Sequence, residues 1–400
     1  MYSHLEEQKQ NLLASVLKFA LSRLPQAQHA VVQDFIRHYF GQMDAEDMVC
    51  RSVDDLYGAA MAHFSFSHAF TGGMPRLRVY NPQLEDHGWT SAHTVIEIVN
   101  DDMPFLVDSV TMEINRQGYT LHLFLHPLFR IRRDKQNQFQ EVVGNETEGR
   151  QESFIHVEVD RETDPIRLKA LGDGVLSVLA DVRAAVGDWH AINDRMSAII
   201  EEIGKAPACF SRDEVGEARV FLEWVNDGHF TFLGYRDYEL VSIDGEDQLR
   251  VIPRSGLGVL REPREGGISA SFAELPPGIR RQAREPRLLV LIKANARATV
   301  HRPGYLDYIG VQRFDGKGNV LGERRFVGLY TSSAYHDHPS EIPLLRHKVA
   351  NVLAKAGFPP TSHMGKNLVA ILERYPRDEL FQIDEKTLLE TALCILRLGD

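Results

Sequence analysis

Residues 93–110 read His93-Thr94-Val95-Ile96-Glu97-Ile98-Val99-Asn100-Asp101-Asp102-Met103-Pro104-Phe105-Leu106-Val107-Asp108-Ser109-Val110. The first seven are rich in β-branched and apolar residues, which predicts a strand over 93–99. The polar run after it predicts an immediate change to helix. Asp101 or Asp102 serves as N-cap, Pro104 sits in the first turn, and Phe105, Leu106, Val110 and Ile114 carry the apolar face until Gly118 stops it. Outward from this strand-to-helix turn, the pattern gives one long strand over 119–132, a polar loop over 134–150, a strand over 154–159 and a helix over 165–186. The order β-α-β-β-α is that of a split βαβ, ferredoxin-like unit. Its last strand does not follow the second helix, because 189–203 still reads as helical. The strand-like run 76–80 is therefore placed on the vacant edge.

Upstream, 6–70 is helical: Leu12, Leu13, Val16, Leu17 and Ala20 recur on one face, and Val31, Val32, Phe35, Ile36 and Tyr39 do so again. Asp44 and Asp47 put acidic groups near the start of a third helix, where they favour its dipole, and Gly72-Gly73-Met74-Pro75 ends this layer. Downstream, a helix over 215–225 precedes five strand-like runs at 230–240, 249–252, 288–293, 308–314 and 324–331. The turn Asp315-Gly316-Lys317-Gly318-Asn319 between the last two marks a hairpin. This is an α+β, sensor-like sheet, loosely like a PAS domain. From 342 to 398 the chain is helical again, broken at Gly357-Phe358-Pro359-Pro360 and at Pro376, and it stops at Asp400 after an apolar helical run.

The 400 residues carry 45 basic and 56 acidic side chains, a net charge of −11, and 43% are hydrophobic. That length calls for several domains with cores of their own. The acidic balance argues against nucleic acid as a partner, since phosphate recognition needs a basic footprint. No apolar run approaches the roughly 20 residues of a spanning helix, and Glu6 and Glu7 occupy the start where a signal peptide carries positive charge. The expectation is a cytoplasmic protein with no membrane segment. Cys50, Cys209 and Cys394 are too few and too far apart for a disulfide framework or a cysteine-based zinc site.

The turn Asn100-Asp101-Asp102-Met103-Pro104 is the most informative place for chemistry. A strand end feeding a helix N-terminus offers backbone N–H groups to an anion, and neighbouring carboxylates can hold an ammonium group, so the two ends of an amino-acid zwitterion are catered for. A capped helix without a ligand has the same pattern. Arg280, Arg281, Arg284 and Arg287, continued by Lys293, Arg297 and Arg302, form a basic stretch opposed within its span only by Glu285. It reads as a contact face between domains or subunits, or as a site for an anionic effector. His122 with His126, and His336 with His338, have metal-like spacing but lack the three or four converging ligands zinc needs, so no metal is expected. Ser255-Gly256-Leu257-Gly258, Gly172-Asp173-Gly174 and Gly316-Lys317-Gly318 fall short of a nucleotide-binding loop. No nucleophile elbow, HExxH or catalytic-cysteine signature occurs, and Asp213-Glu214 and Glu201-Glu202 read as solvated helix faces. Neither a cofactor site nor a catalytic residue is expected in these residues.

The run 93–110, together with His229-Phe-Thr-Phe-Leu-Gly-Tyr-Arg236 and Trp224 just before it, resembles the N-terminal part of the large bacterial NAD-dependent glutamate dehydrogenases. The resemblance covers most of the chain. It implies an α+β, multidomain chain with an N-terminal helical segment at 1–75, an ACT-like (ferredoxin-like) domain at 76–205, a PAS-like antiparallel sheet domain at 206–338 and a helical segment at 339–400 that leads toward the rest of the enzyme. It further implies a regulatory and scaffolding role in a homo-oligomer whose dehydrogenase domain, with its NAD, lies beyond Asp400. That parent enzyme would turn L-glutamate and NAD into 2-oxoglutarate, ammonium and NADH. An amino-acid effector would sit at Asn100, Asp101, Asp102, Met103 and Pro104. Phe105 departs from the small residue usual after this proline and stands where the ligand would enter. The alternatives are a purely structural oligomerisation module and a stand-alone amino-acid sensor.

Overall fold

The computed structural model describes residues 2–144, 149–261, 267–274, 276, 280–359 and 361–398; Pro360, Asp400 and part of the 134–150 loop lie outside them. The chain divides into two compact units, 1–182 and 183–400.

In the first unit, α1 (Tyr2–Arg23), α2 (His29–Gly41), α3 (Ala45–Val49) and α4 (Val53–Ser67) form the expected helical layer. Its apolar stripe is buried: Val16, Ala20, Val32, Phe35, Ile36 and Tyr39 join one core with Phe129, Phe154 and Val99 from the sheet. Phe35 is the hub, stacked on Phe129 at 4.8 Å and tilted against Phe64 at 4.9 Å. Such aromatic pairs add to simple area burial.

The sheet contains β1 (Arg76–Tyr80), β2 (Thr94–Asp101), β3 (Leu121–Leu125), β4 (Leu128–Arg133), β5 (Phe139–Val142) and β6 (Arg150–Val159). Its order is β1-β2-β6-β4-β5, with β3 also on β6. β1 does occupy the edge beside β2, antiparallel, with Arg78 opposite Glu97. Between β2 and β3 runs α6 (Leu106–Arg116), which follows the short α5 (Leu84–His87), and α7 (Pro165–Gly187) follows β6. Gly172 of α7 lies against Leu77 and Val79 of β1. β2 is buried along nearly its whole length, as expected of a strand covered on both faces.

Three local expectations are corrected. The single strand over 119–132 is two strands, both paired to β6, interrupted at His126-Pro127; proline has no N–H to give the ladder. The polar loop contains β5, because Asp134 accepts the backbone N–H groups of Gln136 and Gln138 and Asn137 takes a positive φ, turning the chain back into a hairpin. The helix after β2 starts later than its polar sequence suggests. Asn100 and Asp101 stay in the ladder opposite Ser153 and Glu152, and α6 begins only at Leu106.

The second unit begins in the last turn of α7. α8 (Trp189–Ile203), read from sequence together with the ferredoxin-like unit, belongs here. With α9 (Arg212–Trp224) it buries Ile192, Met196, Ile199, Phe221 and Leu222 against Phe232, Tyr235, Ile309 and Phe326 of the sheet. α9 opens on a capping box between Ser211 and Glu214. The strands are β7 (Phe230–Ile243), β8 (Glu246–Val251), the two-residue β9 (Leu257–Gly258), β10 (Leu289–Arg297), β11 (Tyr305–Phe314) and β12 (Val320–Tyr330). They form an antiparallel sheet ordered β10-β11-β12-β7-β8, with β9 on β7. The five expected runs and the Asp315 hairpin turn are all present, the Asp315 carboxylate accepting the N–H groups of Lys317 and Asn319. Helices Leu345–Ala356, His363–Arg374, Arg377–Gln382 and Glu385–Leu398 close around Leu345, Val349, Leu368, Leu372, Leu380 and Leu388. Among the described residues no helix is long and apolar enough to cross a membrane.

Candidate functional site

The five residues of the turn do come together where β2 meets α6, but the two carboxylates have structural partners. Asp101 accepts the Gly73 N–H at 2.9 Å and faces Arg150 at 3.4 Å. Asp102 accepts the Gln151 side-chain amide at 3.0 Å and donates its own N–H to the Gln151 carbonyl. Neither carboxylate caps α6. The residue at the cap position is Phe105, at φ 72° and ψ 0°, whose carbonyl accepts the Ser109 N–H and so opens the helix.

The basic stretch is neutralised locally. Arg280, buried, pairs with Glu246 at 2.8 Å, Arg284 pairs with Asp247, and Arg287 pairs with Glu285. Arg281 is engaged as well. Glu246 and Asp247 come from β8, too distant in sequence to be seen as partners. Lys293 bridges Asp307 and Asp378 at 2.7 and 2.8 Å, and Arg302 donates to the Tyr330 carbonyl.

The spaced histidines do not converge. His122 pairs with Asp160 at 2.8 Å and stacks on His93, while His126 reaches Ser153 at 2.7 Å. His336 bonds the Ser332 carbonyl and His338 pairs with Glu373. The second unit also holds a cleft of about 700 Å³ between the end of α8 and the β11–β12 hairpin, lined by Ile199, Ile203, Val311, Phe314, Arg313 and Lys317 among others.

Sequence reasoning missed a polar layer buried between β2, β6 and α4. On one face of the sheet, Glu97 lies directly opposite His156, and Val95 opposite Glu158. Glu97 accepts Arg78 Nε at 2.6 Å and the Tyr80 hydroxyl at 3.0 Å. His156 places Nδ1 3.9 Å from Glu97 and Nε2 3.4 Å from Glu158. Glu158 is held by both Arg51 Nη atoms at 2.6 and 3.0 Å. From α4, His63 bonds the Ile98 carbonyl through Nε2 at 3.1 Å and the Tyr39 hydroxyl through Nδ1 at 3.0 Å. A carbonyl only accepts, so Nε2 carries the proton and Nδ1 is a lone pair. Burial, reinforced by His156, pushes His63 well below the ordinary imidazole range. Burial also pushes Glu97 up, against Arg78. For Glu158 burial pushes the same way, but the hydrogen bonds from His156 and Arg51 outweigh it and hold the carboxyl at about 2. One signal was available: Glu97 interrupts an otherwise apolar strand, and His156 and Glu158 alternate within another. A charge inside a strand buried on both faces requires a buried partner.

Two family models match this chain: "Glutamate dehydrogenase, ACT1 domain" over residues 35–175 and "Glutamate dehydrogenase, helical motif 1" over 342–400. Among curated relatives, an NAD-specific glutamate dehydrogenase of Halomonas elongata is 39% identical over 399 residues, covering 99% of this chain and 25% of its own length. That of Pseudomonas aeruginosa is 37% identical over 369 residues, with 92% and 23% covered. That of Mycobacterium tuberculosis is 30% identical over 348 residues, with 84% and 20% covered. The chain thus spans about a quarter of the length of the relatives it matches.

Proposed function

The chain belongs to the family of large NAD-specific glutamate dehydrogenases, and from that premise we propose that it is the regulatory and assembly portion of such an enzyme. The parent enzyme oxidises L-glutamate with NAD to 2-oxoglutarate, ammonium and NADH. That chemistry lies outside these 400 residues. The observation that carries the reading is the match of residues 35–175 to an ACT1 model, over the segment that folds as the six-stranded sheet β1–β6 with α6 and α7 beneath a helical layer. Regulation works through linkage: an amino acid that binds one arrangement of the regulatory part better than another shifts the population on which the catalytic part depends. The effector site is the turn Asn100, Asp101, Asp102, Met103 and Pro104, with the N–H groups of the first turn of α6 facing the ligand carboxylate. The basic residues Arg280, Arg281, Arg284 and Arg287 act within a contact face. The enzyme works in the cytoplasm as a homo-oligomer.

A second reading has its own support. With Asp101 and Asp102 already engaged and the bulky Phe105 fixed in a left-handed conformation at the start of α6, the ACT-like domain serves assembly alone.

A thermal-shift screen of the chain against the common L-amino acids separates the two. A ligand at about 100 times its dissociation constant stabilises the folded state by roughly 2.7 kcal/mol, several degrees for a domain of this size. A shift with one amino acid, lost in Asp101→Ala, supports the effector site. No shift, with self-association by sedimentation, supports assembly alone.

A further inference from the structure

We infer that His63, Glu97 and His156 form a binding site for one divalent transition-metal ion of the zinc and cobalt class. One donor atom from each lies within 4.8 Å of the others, and all three side chains are buried. They come from three elements: α4 supplies His63, β2 supplies Glu97, and β6 supplies His156 directly opposite Glu97 in the register. Two imidazoles and one carboxylate are the donor set that intermediate divalent ions take in proteins.

Three features go beyond proximity. His156 Nδ1 has no hydrogen-bond partner although the residue is 1% exposed, and a buried imidazole nitrogen ordinarily finds one. It lies 3.9 Å from the Glu97 carboxylate, with room for a shared ion. His63 donates Nε2–H to the Ile98 carbonyl, which turns its Nδ1 lone pair inward. The outer groups also have the arrangement that steadies metal ligands: Glu158 backs His156 through Nε2, and Arg78 and Tyr80 hold Glu97.

Charge is consistent with this. Glu97 and Glu158 are buried carboxylates, whereas their partners Arg78 and Arg51 keep 31% and 24% of their side chains in solvent. A bound dication therefore has two buried carboxylates close by, while the guanidinium charges that pair with them stay partly screened by water. Donors around one ion are at most about 4.4 Å apart, twice a bond of 2.2 Å. Binding therefore requires at most a contraction of a few tenths of an ångström, and the turning of the Tyr39 hydroxyl away from His63 Nδ1.

The test is a titration of the full chain with Co(II) after dialysis against a chelator. One ion per chain, with visible d–d absorption that Zn(II) displaces, supports the site; so does loss of at least 100-fold in affinity in Glu97→Gln and His156→Gln with full binding in His122→Gln, which removes the exposed His93–His122–Asp160 group. No stoichiometric binding overturns it, as does binding lost only in His122→Gln. Should the core variants fail to fold, zinc-edge X-ray absorption of the His122→Gln chain decides: two imidazoles in the first shell support the inference and fewer overturn it.

Discussion

At Phe105 a bulky side chain occupies backbone territory that suits glycine, φ 72°, at a cost of roughly 1–2 kcal/mol. The turn keeps it because β2 stays in register with β6 through Asp101, leaving only Asp102, Met103 and Pro104 before the chain must reverse into α6. The ring is half buried, so its packing offsets part of the strain. Phe105→Gly is therefore expected to change stability by less than about 1 kcal/mol, because relief of the left-handed conformation and loss of apolar contact oppose each other. Urea unfolding reads this directly, and a loss above about 3 kcal/mol would show that the ring is a core residue instead. The same variant opens the turn. If an amino acid binds beside Asn100, its thermal shift grows in Phe105→Gly, whereas an assembly domain stays unresponsive.

At the scale of elements, the face shared by β2, β6 and α4 makes stability depend on pH. His63 has its folded value pushed below the unfolded imidazole value near 6.5, by burial first and by His156 second. The unfolded chain therefore binds more protons below that value, and stability is lost as pH falls through it. His93 and His126 shift in the same direction, also chiefly by burial. Glu158 acts lower: its contribution, roughly 3 kcal/mol, is complete above the unfolded carboxyl value near 4.5 and disappears as pH falls toward about 2. Unfolding free energy measured between pH 7.5 and 5.5 is expected to fall with acid, at up to about 1.4 kcal/mol per pH unit for each histidine held neutral. His63→Gln reduces that slope; an unchanged slope would mean that His63 is not the neutral group it appears in the fold. The same elements show how far the sequence could be read. Apolar periodicity found the helical layer and the five expected strands of the second sheet, and a β-branched apolar run found β2, whose residues are buried on both faces. Periodicity did not find β5, whose hairpin depends on the Asp134 side chain and a left-handed Asn137. Nor could it place α8, since an amphipathic helix carries no label for which sheet will cover it. The ion pairs of Arg280 and Arg284 escaped because their carboxylates sit on another strand.

At the scale of the whole molecule, the proposal that hydride transfer lies outside these residues is tested through the fate of the glycine runs that the sequence offered for a dinucleotide. A dinucleotide cradle needs a glycine-rich turn between a parallel strand and the N-terminus of a helix, so that the backbone can approach a pyrophosphate. Every strand pairing in both sheets is antiparallel. The three glycine runs are spoken for: Gly172 and Gly174 lie inside α7, Gly258 pairs with Gly234 of β7, and Gly316 and Gly318 make the hairpin after β11. A charge of −11 over the chain further disfavours a phosphate-rich ligand at any unspecialised surface. Incubated with L-glutamate and NAD, this chain is accordingly expected to form no NADH above the rate without protein. The measurement is the growth of NADH absorbance at saturating concentrations of both, with a separate binding titration of NAD by calorimetry. Turnover would place hydride transfer within these residues and overturn the division of labour proposed for the family member. Binding without turnover would instead turn attention to the 700 Å³ cleft beside Arg313 and Lys317, where cationic side chains and an apolar wall meet at a size that admits a nucleotide.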